Sequence, residues 1–135
     1  MSIQLEYIFL IAVGGAVGGV GRFWLSGLVG RKVREHFPWG TLTVNICGAA
    51  LIGLLAGLIP FTLNLAAAQK ILWMTFVVGV LGSFTTVSTF SLETVALLRS
   101  GEPGRAFTNV IASLGLCLAV AGAGYFGVAR LAGWF

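Results

Sequence analysis

A dense run of hydroxyl side chains is the most chemically distinctive feature of this sequence. Between Ser83 and Thr94, seven of twelve residues are Ser or Thr. Hydroxyl groups both donate and accept hydrogen bonds, so a cluster of them can form a polar track that carries no fixed charge. The alternative is structural, because Ser and Thr within a helix often donate to a carbonyl one turn earlier and only bend the helix. The density of the run favours the polar track.

Further polar side chains recur at helical spacing elsewhere in the chain. Thr41 and Asn45 are four residues apart, and Asn109, Ser113 and Cys117 follow the same spacing. Residues four apart share one face of a helix. Each set therefore predicts a polar stripe, and the two stripes can extend the track that the hydroxyl run begins.

The composition requires that these polar groups lie in a membrane. Of the 135 residues, 58% are hydrophobic and 9% are charged, and the mean hydropathy is +1.01. A water-soluble domain of this size exposes too much of its surface to hide so many apolar side chains. About 20 residues of helix cross the hydrocarbon. We predict one all-α membrane domain over residues 1–135, with spans at about 7–29, 40–60, 71–98 and 106–129.

The third predicted span differs from the others. It is longer than a straight crossing needs, and Gly79, Gly82 and the hydroxyl run interrupt it near its middle. We therefore expect a helix that is broken near the middle of the membrane. Exposed backbone at that depth is tolerated only where it is buried in protein or lines a wet cavity. The freed carbonyl and amide groups then become available as ligands.

Most basic residues mark the ends of the spans, as they do in other membrane proteins. The connections that follow the first and third spans carry five of them, and the opposite side carries two: Arg31, Lys32, Arg34, Arg99 and Arg105 against Lys70 and Arg130. This bias favours a cytoplasmic location for the first set and places both termini outside. It also accounts for the net charge of +4 without nucleic acid, which we do not expect as a partner.

Two charged side chains fall within predicted spans. Arg22 lies late in the first span, where it can either reach the membrane surface or line a water-filled vestibule. In a vestibule its positive charge would favour anions. Glu93 lies toward the end of the third span, and the other three predicted spans contain no carboxylate.

Small residues are expected to mediate the packing between the helices. Glycines four apart let membrane helices approach closely, and the chain has three such pairs: Gly14/Gly18, Gly15/Gly19 and Gly53/Gly57. Cys47 and Cys117 lie within spans and lack the spacing of metal ligands. We interpret both cysteines as small packing residues, with a disulfide or a zinc site as the other possibility.

Three motifs resemble those of the Fluc/CrcB family of fluoride channels. They are GxxxRF at 18–23, FPWGTLTVNICG at 37–48 and GSFTTVSTFSLET at 82–94, and the similarity extends over essentially the whole chain. The resemblance implies a multi-pass protein of the bacterial plasma (inner) membrane that lets fluoride leave the cell passively and so relieves its toxicity. It also implies an antiparallel, dual-topology homodimer with two fluoride pores and a structural Na⁺ at its centre.

The resemblance also assigns roles to individual residues. The backbone carbonyls of Gly82 and Thr85 would hold the Na⁺, and Arg22 would be the family's span-one arginine at the vestibule. For the fluoride pore the resemblance implies Asn45, Phe90 and Ser113. The polar spacing and the hydroxyl run add Thr41, Ser88, Thr89 and Asn109, although the family often has an aromatic residue or His where this chain has Asn109. An aromatic ring has a positive edge, so Phe90 can contact an anion edge-on. The family usually has a second Phe three residues earlier, where this chain has Val87.

Two other functions fit part of the sequence. A small multidrug-type cation exporter also has four spans and can have dual topology, but it needs a membrane-embedded carboxylate, typically in the first span. Here that span carries Arg22, and Glu6 lies only at its edge. A non-transporting assembly subunit would explain the glycines but not the polar track. An enzyme is not expected, because the sequence shows no nucleophile paired with a base.

Overall fold

The computed structural model describes residues 2–33, 37–59 and 66–133, and every regular element within these ranges is a helix. The third stretch of helix contains a π-helical segment, Trp73–Leu81, that follows α3 directly and continues into α4. The α-helices are α1 (Ser2–Lys32), α2 (Trp39–Leu58), α3 (Ala67–Leu72), α4 (Gly82–Phe84), α5 (Val87–Arg99) and α6 (Pro103–Leu131).

Four stretches are long and apolar enough to cross a membrane: Leu5–Lys32, Trp39–Leu58, Ala67–Arg99 and Pro103–Leu131. The prediction of four spans is confirmed at this level. The first, third and fourth stretches extend beyond the predicted bounds, because helical hydrogen bonding continues through polar residues that hydropathy leaves out, such as Arg31 and Lys32. The second ends at Leu58, earlier than predicted. The predicted end of that span at position 60, and the basic residue at position 34, lie outside the described residues.

The backbone of the third span leaves the helical conformation at two residues. Thr85 has φ −78° and ψ 159°, and Thr86 has φ −153° and ψ 117°, so both are extended before α5 begins at Val87. The sequence predicted the interruption at Gly79, Gly82 and the hydroxyl run. The two extended residues belong to the hydroxyl run, whereas both glycines lie within helical segments. Gly79 lies against α1 instead, where a Cβ atom would come within 3.0 Å of the Ile11 carbonyl oxygen.

Glycines of α1 allow it to pack directly against the π-helical segment. A Cβ atom added to Gly14 would lie 2.5 Å from the Thr75 carbonyl oxygen, and one added to Gly18 would overlap the Val80 carbonyl oxygen. The overlapping pair Gly15/Gly19 differs, because nothing lies within 4 Å of a Cβ atom added to Gly19. Close packing is therefore confirmed for one of the two overlapping pairs and not for Gly19.

Glycines of α2 likewise allow it to pack directly against α6. Among the described residues, these two helices form the most extensive contact. A Cβ atom at Gly53 would overlap the Ala121 carbonyl oxygen, and one at Gly57 would lie 2.8 Å from the Tyr125 carbonyl oxygen. Because Gly53 meets Ala121 and Gly57 meets Tyr125, the two helices run in the same direction. This pairing holds Asn45 and Ser113 on neighbouring helices, next to the extended residues of the third span.

Candidate functional site

The extended backbone at Thr86 is held by the side chain of Asn45. The amide Nδ2 of Asn45 donates to the Thr86 carbonyl oxygen at 3.0 Å, and the Thr86 backbone N–H donates to Asn45 Oδ1 at 2.8 Å. Asn45 thus substitutes for a neighbouring peptide and satisfies both polar groups of a buried residue that lies outside any helix. This contact fixes α2 to the interruption in the third span.

The hydroxyl of Thr86 caps the helix that follows. Thr86 Oγ1 accepts a hydrogen bond from the Thr89 backbone N–H at 3.2 Å, which satisfies one of the free donors at the start of α5. The same oxygen lies 3.0 Å from Thr89 Oγ1 and 3.2 Å from Ser88 Oγ. Ser88 and Thr89, two of the predicted site residues, therefore belong to one hydroxyl cluster centred on Thr86.

These contacts also change the surroundings of two backbone carbonyls. In an unbroken α-helix the N–H of Thr86 would donate to the Gly82 carbonyl, and the N–H of Thr89 would donate to the Thr85 carbonyl. Instead, the Thr86 N–H donates to Asn45 Oδ1 and the Thr89 N–H donates to Thr86 Oγ1. The Gly82 and Thr85 carbonyls consequently lose their helical partners, and carbonyl oxygens in this condition suit a hard cation.

A cavity of about 300 Å³ lies beside the interruption, and we call it the Ser113 cavity. It brings together three predicted pore residues, Asn45, Phe90 and Ser113, and its wall also includes Val87. The hydroxyl oxygen of Ser113 is buried without a hydrogen-bond partner among the described residues. The remaining lining residues are Ala49, Ile52, Thr85, Thr86, Leu114, Cys117 and Leu118.

A second cavity, of about 250 Å³, lies on the other side of Thr86, and we call it the Arg22 cavity. It collects three more of the predicted residues, Arg22, Thr41 and Thr89, together with Ser26 of α1. Thr86 lines both cavities. The structure thus distributes the predicted site over two cavities that share Thr86. The Arg22 cavity contains a positive charge, and the Ser113 cavity is mostly apolar.

Thr41 connects the Arg22 cavity to the carboxyl group of the third span. Its hydroxyl donates to Glu93 Oε1 at 2.9 Å, whereas Glu93 Oε2 is buried without a partner among the described residues. Glu93 also lines a third cavity, of about 320 Å³, together with Glu102. The carboxyl group therefore lines the third cavity, contacts the Arg22 cavity only through Thr41, and has one oxygen without a partner among the described residues.

Asn109 lies apart from the Ser113 and Arg22 cavities. It is almost completely buried between α6 and α5, and its amide donates to Thr94 Oγ1 at 2.9 Å. Thr94 in turn donates to the Phe90 carbonyl oxygen at 2.7 Å. Asn109 is thus not among the residues that line either cavity, which differs from its predicted place in the pore, and here it joins two helices.

The structural alternative for the hydroxyl run is correct for part of it. Thr85, Ser91 and Thr94 each donate to a carbonyl four residues earlier in the chain. The remaining four hydroxyls include the Thr86 cluster with Ser88 and Thr89. Ser91 and Thr94 lie within α5, and Thr85 follows α4 directly and still reaches the Leu81 carbonyl. Ser88 and Thr89 lie in the first turn of α5, and their hydroxyls contact Thr86 instead.

Comparison with known proteins identifies the family. The sequence model described as CrcB-like protein, Camphor Resistance (CrcB), matches residues 9–125. The chain belongs to the CrcB family. Two similar relatives are named fluoride-specific ion channel FluC 3, from Brucella suis biovar 1, and fluoride-specific ion channel FluC, from Opitutus terrae. The first is 44% identical over 132 residues, 98% of each chain, and the second is 49% identical over 125 residues, 90% of this chain and 91% of its own.

A third similar relative of this CrcB-family chain carries the same kind of name. The protein named fluoride-specific ion channel FluC 2, from Bradyrhizobium diazoefficiens, is 44% identical over 123 residues, which is 91% of this chain and 89% of the relative. The family is one of channels and not of enzymes. Among the described residues of the CrcB-family chain, no group of three or more His, Cys, Asp or Glu side chains could hold a metal ion.

Three residues of this CrcB-family site were not predicted from the sequence. Thr86 is the central one, and its position before α5 fits the preference for Thr at the N-cap of a helix, so the motif contained a usable signal. The sequence shows that Glu93 and Thr94 carry a carboxylate and a hydroxyl, but their partners lie 52 and 15 residues away in sequence. Nothing in the local pattern indicates those pairs.

Proposed function

We propose that this chain is a fluoride-specific ion channel that lets fluoride leave the cell passively and so relieves its toxicity. The observation that supports this most is the Ser113 cavity, where Asn45, Phe90 and Ser113 line one space beside the interrupted helix. The names of the relatives from Brucella suis, Opitutus terrae and Bradyrhizobium diazoefficiens point to the same ion.

The donors available in the cavity suit a small, strongly hydrated anion. An anion that enters must exchange its water for other donors, because an unlined apolar stretch would cost too much free energy. Ser113 has an unpartnered hydroxyl, and the amide nitrogen of Asn45 has a second N–H besides the one that it gives to Thr86. The Phe90 ring can add its positive edge. All three are neutral, so they would bind the ion without trapping it.

Arg22 would attract anions from the water toward this route. Its cavity lies next to the Ser113 cavity across Thr86, and the polar residues Thr41, Ser26 and Thr89 line it. A fixed positive charge in a narrow, partly apolar space raises the local concentration of anions. We propose that the Arg22 cavity is the vestibule, and that the Thr86 cluster with Ser88 and Thr89 lies between the vestibule and the pore.

We propose that two copies assemble as an antiparallel, dual-topology homodimer with two pores. The Ser113 cavity opens at a face where Val87 is 76% exposed and Leu118 is 73% exposed. A second copy on this face would complete the wall of the cavity and exclude lipid from the polar groups. Opposite orientation of the copies would also bring together the two interruptions of the third span.

A structural Na⁺ at the centre of the dimer fits the carbonyls described above. Gly82 and Thr85 would each contribute a backbone oxygen, and two copies would contribute four. Both carbonyls have lost their helical donors to Asn45 and to the Thr86 hydroxyl. When bound, the ion would supply a positive charge that compensates for the converging carbonyl dipoles.

The membrane implied for the protein is the bacterial plasma (inner) membrane, crossed four times by each copy. The relatives come from bacteria, and the four apolar helices leave only short connections. The small multidrug-type cation exporter has no support from the comparisons. Arg22 in the first span also opposes it, because a cation exporter needs a negative charge at that place.

The experiment that tests this function is ion efflux from liposomes that contain the purified protein. Vesicles are loaded with potassium fluoride or potassium chloride, and efflux is started with a potassium ionophore and followed with ion-selective electrodes. We expect rapid loss of fluoride and retention of chloride. Fluoride efflux no faster than from empty vesicles, with folded protein shown to be in the membrane, would refute the proposal.

A further inference from the structure

We propose that Asn109 and Thr94 are positioning residues that fix the Phe90 ring in the Ser113 cavity, and that they act on permeation only through this ring. The proposal deepens the function proposed above, and its permeation half rests on that function. The position of the ring depends on the fold alone. The two halves can therefore be measured separately.

The first observation is that α5 is not a rigid continuation of the helix before it. Thr85 and Thr86 are both extended, so helical backbone ends at α4 and begins again at Val87. A few non-helical residues can absorb a rotation of the helix that follows them. The direction in which Phe90 projects from α5 is therefore set by the contacts of α5 with its neighbours.

The second observation is a pair of hydrogen bonds that hold α5 from two directions. Glu93 Oε1 accepts from the Thr41 hydroxyl of α2 at 2.9 Å. The next residue, Thr94, accepts through Oγ1 from the Asn109 amide of α6, also at 2.9 Å. Successive residues differ by about 100° around the axis of an α-helix. A rotation of α5 would therefore lengthen at least one of the two bonds.

Phe90 lies on the part of α5 that these bonds hold. It is three residues before Glu93 and four before Thr94, and residues at these spacings are neighbours on a helix surface. The Thr94 hydroxyl also donates to the Phe90 carbonyl oxygen at 2.7 Å. A hydroxyl has one hydrogen, so Thr94 can bind Asn109 only as an acceptor, and the amide supplies the donor that it needs.

The burial of Asn109 makes this contact costly to break. Asn109 is almost completely buried, and a buried amide that loses its partner raises the free energy of the fold. Orientations of α5 in which Thr94 has moved away are therefore disfavoured. Orientation matters for an anion, because the edge of an aromatic ring attracts it and the face repels it. Asn109 thus affects the cavity although it does not line it.

The first experiment measures fluoride efflux from liposomes that contain the full-length protein, at several internal fluoride concentrations. Thr94→Val keeps the shape of the side chain and removes the hydroxyl. We expect it to raise the fluoride concentration at half-maximal efflux roughly fivefold, the size that one lost hydrogen bond produces. Thr94→Ser restores the hydroxyl and should reverse the effect. Thr108→Val is the matched control, because its exposed hydroxyl donates to a carbonyl four residues earlier in the same way.

A double variant separates positioning from a general loss of stability. If Asn109 acts only through the ring, adding Asn109→Leu to Phe90→Ile should reduce efflux no further than Phe90→Ile alone. A structural role would instead add its own loss. Thr94→Val combined with Phe90→Ile makes the same test if Asn109→Leu does not fold.

The second experiment observes the ring without transport. Position 90 carries para-trifluoromethyl-phenylalanine in the full-length protein, and its fluorine NMR resonance is recorded in detergent. We expect one sharp resonance in the parent and in Thr108→Val. The resonance should shift or broaden in Asn109→Leu and Thr94→Val, because α5 can then adopt other orientations, and Thr94→Ser should return it to the parent position.

Three results would overturn the proposal. One is a parent-like resonance in folded Thr94→Val and Asn109→Leu. Another is a double variant in which the losses of efflux multiply. The third is a Thr94→Ser protein that is as impaired as Thr94→Val. If the parent itself does not conduct fluoride, the proposed function fails, and the NMR spectra still decide whether Asn109 and Thr94 position Phe90.

Discussion

The side-chain amide of Asn45 forms a two-way hydrogen-bonded pair with the backbone of Thr86. It donates to the Thr86 carbonyl oxygen at 3.0 Å and accepts from the Thr86 N–H at 2.8 Å. This pair joins α2 to the extended residues between α4 and α5. It also takes the donor that a continuous helix would give to Gly82, so one side chain both stabilises the interruption and leaves the Gly82 carbonyl without its helical donor.

Asn45→Asp should therefore destabilise the fold. Aspartate can still accept from the Thr86 N–H, but it cannot donate to the Thr86 carbonyl and places a negative oxygen against it. We expect a loss of about 1–3 kcal/mol, the usual cost of an unsatisfied buried polar group. Thermal unfolding in detergent measures the change.

Gln69→Glu is the matched control for that substitution. Gln69 is an exposed residue whose side-chain oxygen accepts from the Ala66 N–H, and glutamate keeps this acceptor. Its unfolding temperature should stay at the parent value. An Asn45→Asp protein as stable as Gln69→Glu would contradict the role of the Asn45–Thr86 pair.

Ser113→Ala should separate stability from transport. The Ser113 hydroxyl is buried without a partner, so its removal should leave stability unchanged or raise it slightly. Fluoride efflux should nevertheless fall, because the cavity loses a donor. Ser100→Ala removes an exposed hydroxyl that donates to the Ala96 carbonyl, and it should leave efflux at the parent level. Parent-like efflux from Ser113→Ala would show that this hydroxyl does not contact the ion.

Sequence patterns predicted the helices well and the contacts between them poorly. Hydropathy located four spans because each is a local property of about 20 residues. The third span was predicted to be interrupted at Gly79, Gly82 and the hydroxyl run, and only the hydroxyl run contains the extended residues. In the structure Gly79 serves close packing against α1, and Thr85 and Thr86 become extended.

The candidate site was predictable as a set of residue types, but not in its arrangement. Thr41 and Asn45 share a helix face, yet Thr41 bonds to Glu93 and Asn45 to Thr86, in separate cavities. Asn109 follows the spacing of a polar stripe and instead bonds to Thr94. Such pairings depend on how helices pack across long sequence distances, and helical periodicity gives the face of a residue without its partner.

Gly53→Ala should weaken the packing of α2 on α6. The added Cβ atom would overlap the Ala121 carbonyl oxygen, so the two helices must separate. We expect a destabilisation of roughly 1–3 kcal/mol, the usual cost of overpacking a tight contact. Gly127→Ala adds the same methyl group on α6 where no atom lies within 4 Å, and it should be neutral. Equal unfolding temperatures for the two variants would contradict this packing.

Removal of Na⁺ should weaken the proposed dimer. If the Gly82 and Thr85 carbonyls of two copies converge on one cation, its loss leaves their oxygens facing one another without compensation. Exchange of Na⁺ for N-methylglucamine should reduce both the dimer fraction in size-exclusion chromatography and the fluoride efflux. Intact dimers with unchanged efflux, after elemental analysis has shown that the Na⁺ is gone, would refute the cation site.

The most direct test of the whole account is fluoride efflux from liposomes that contain Phe90→Ile or Phe107→Ile. Phe90 lines the Ser113 cavity, whereas Phe107 is 68% exposed on α6 and is not among its lining residues. Isoleucine keeps an apolar side chain but lacks the positive ring edge, so Phe90→Ile should lower efflux by roughly tenfold or more. Phe107→Ile should conduct like the parent, and Val87→Phe, which adds a ring to the same cavity, should be tolerated. Parent-like efflux from a correctly assembled Phe90→Ile protein would contradict the assignment of this cavity as the fluoride pore.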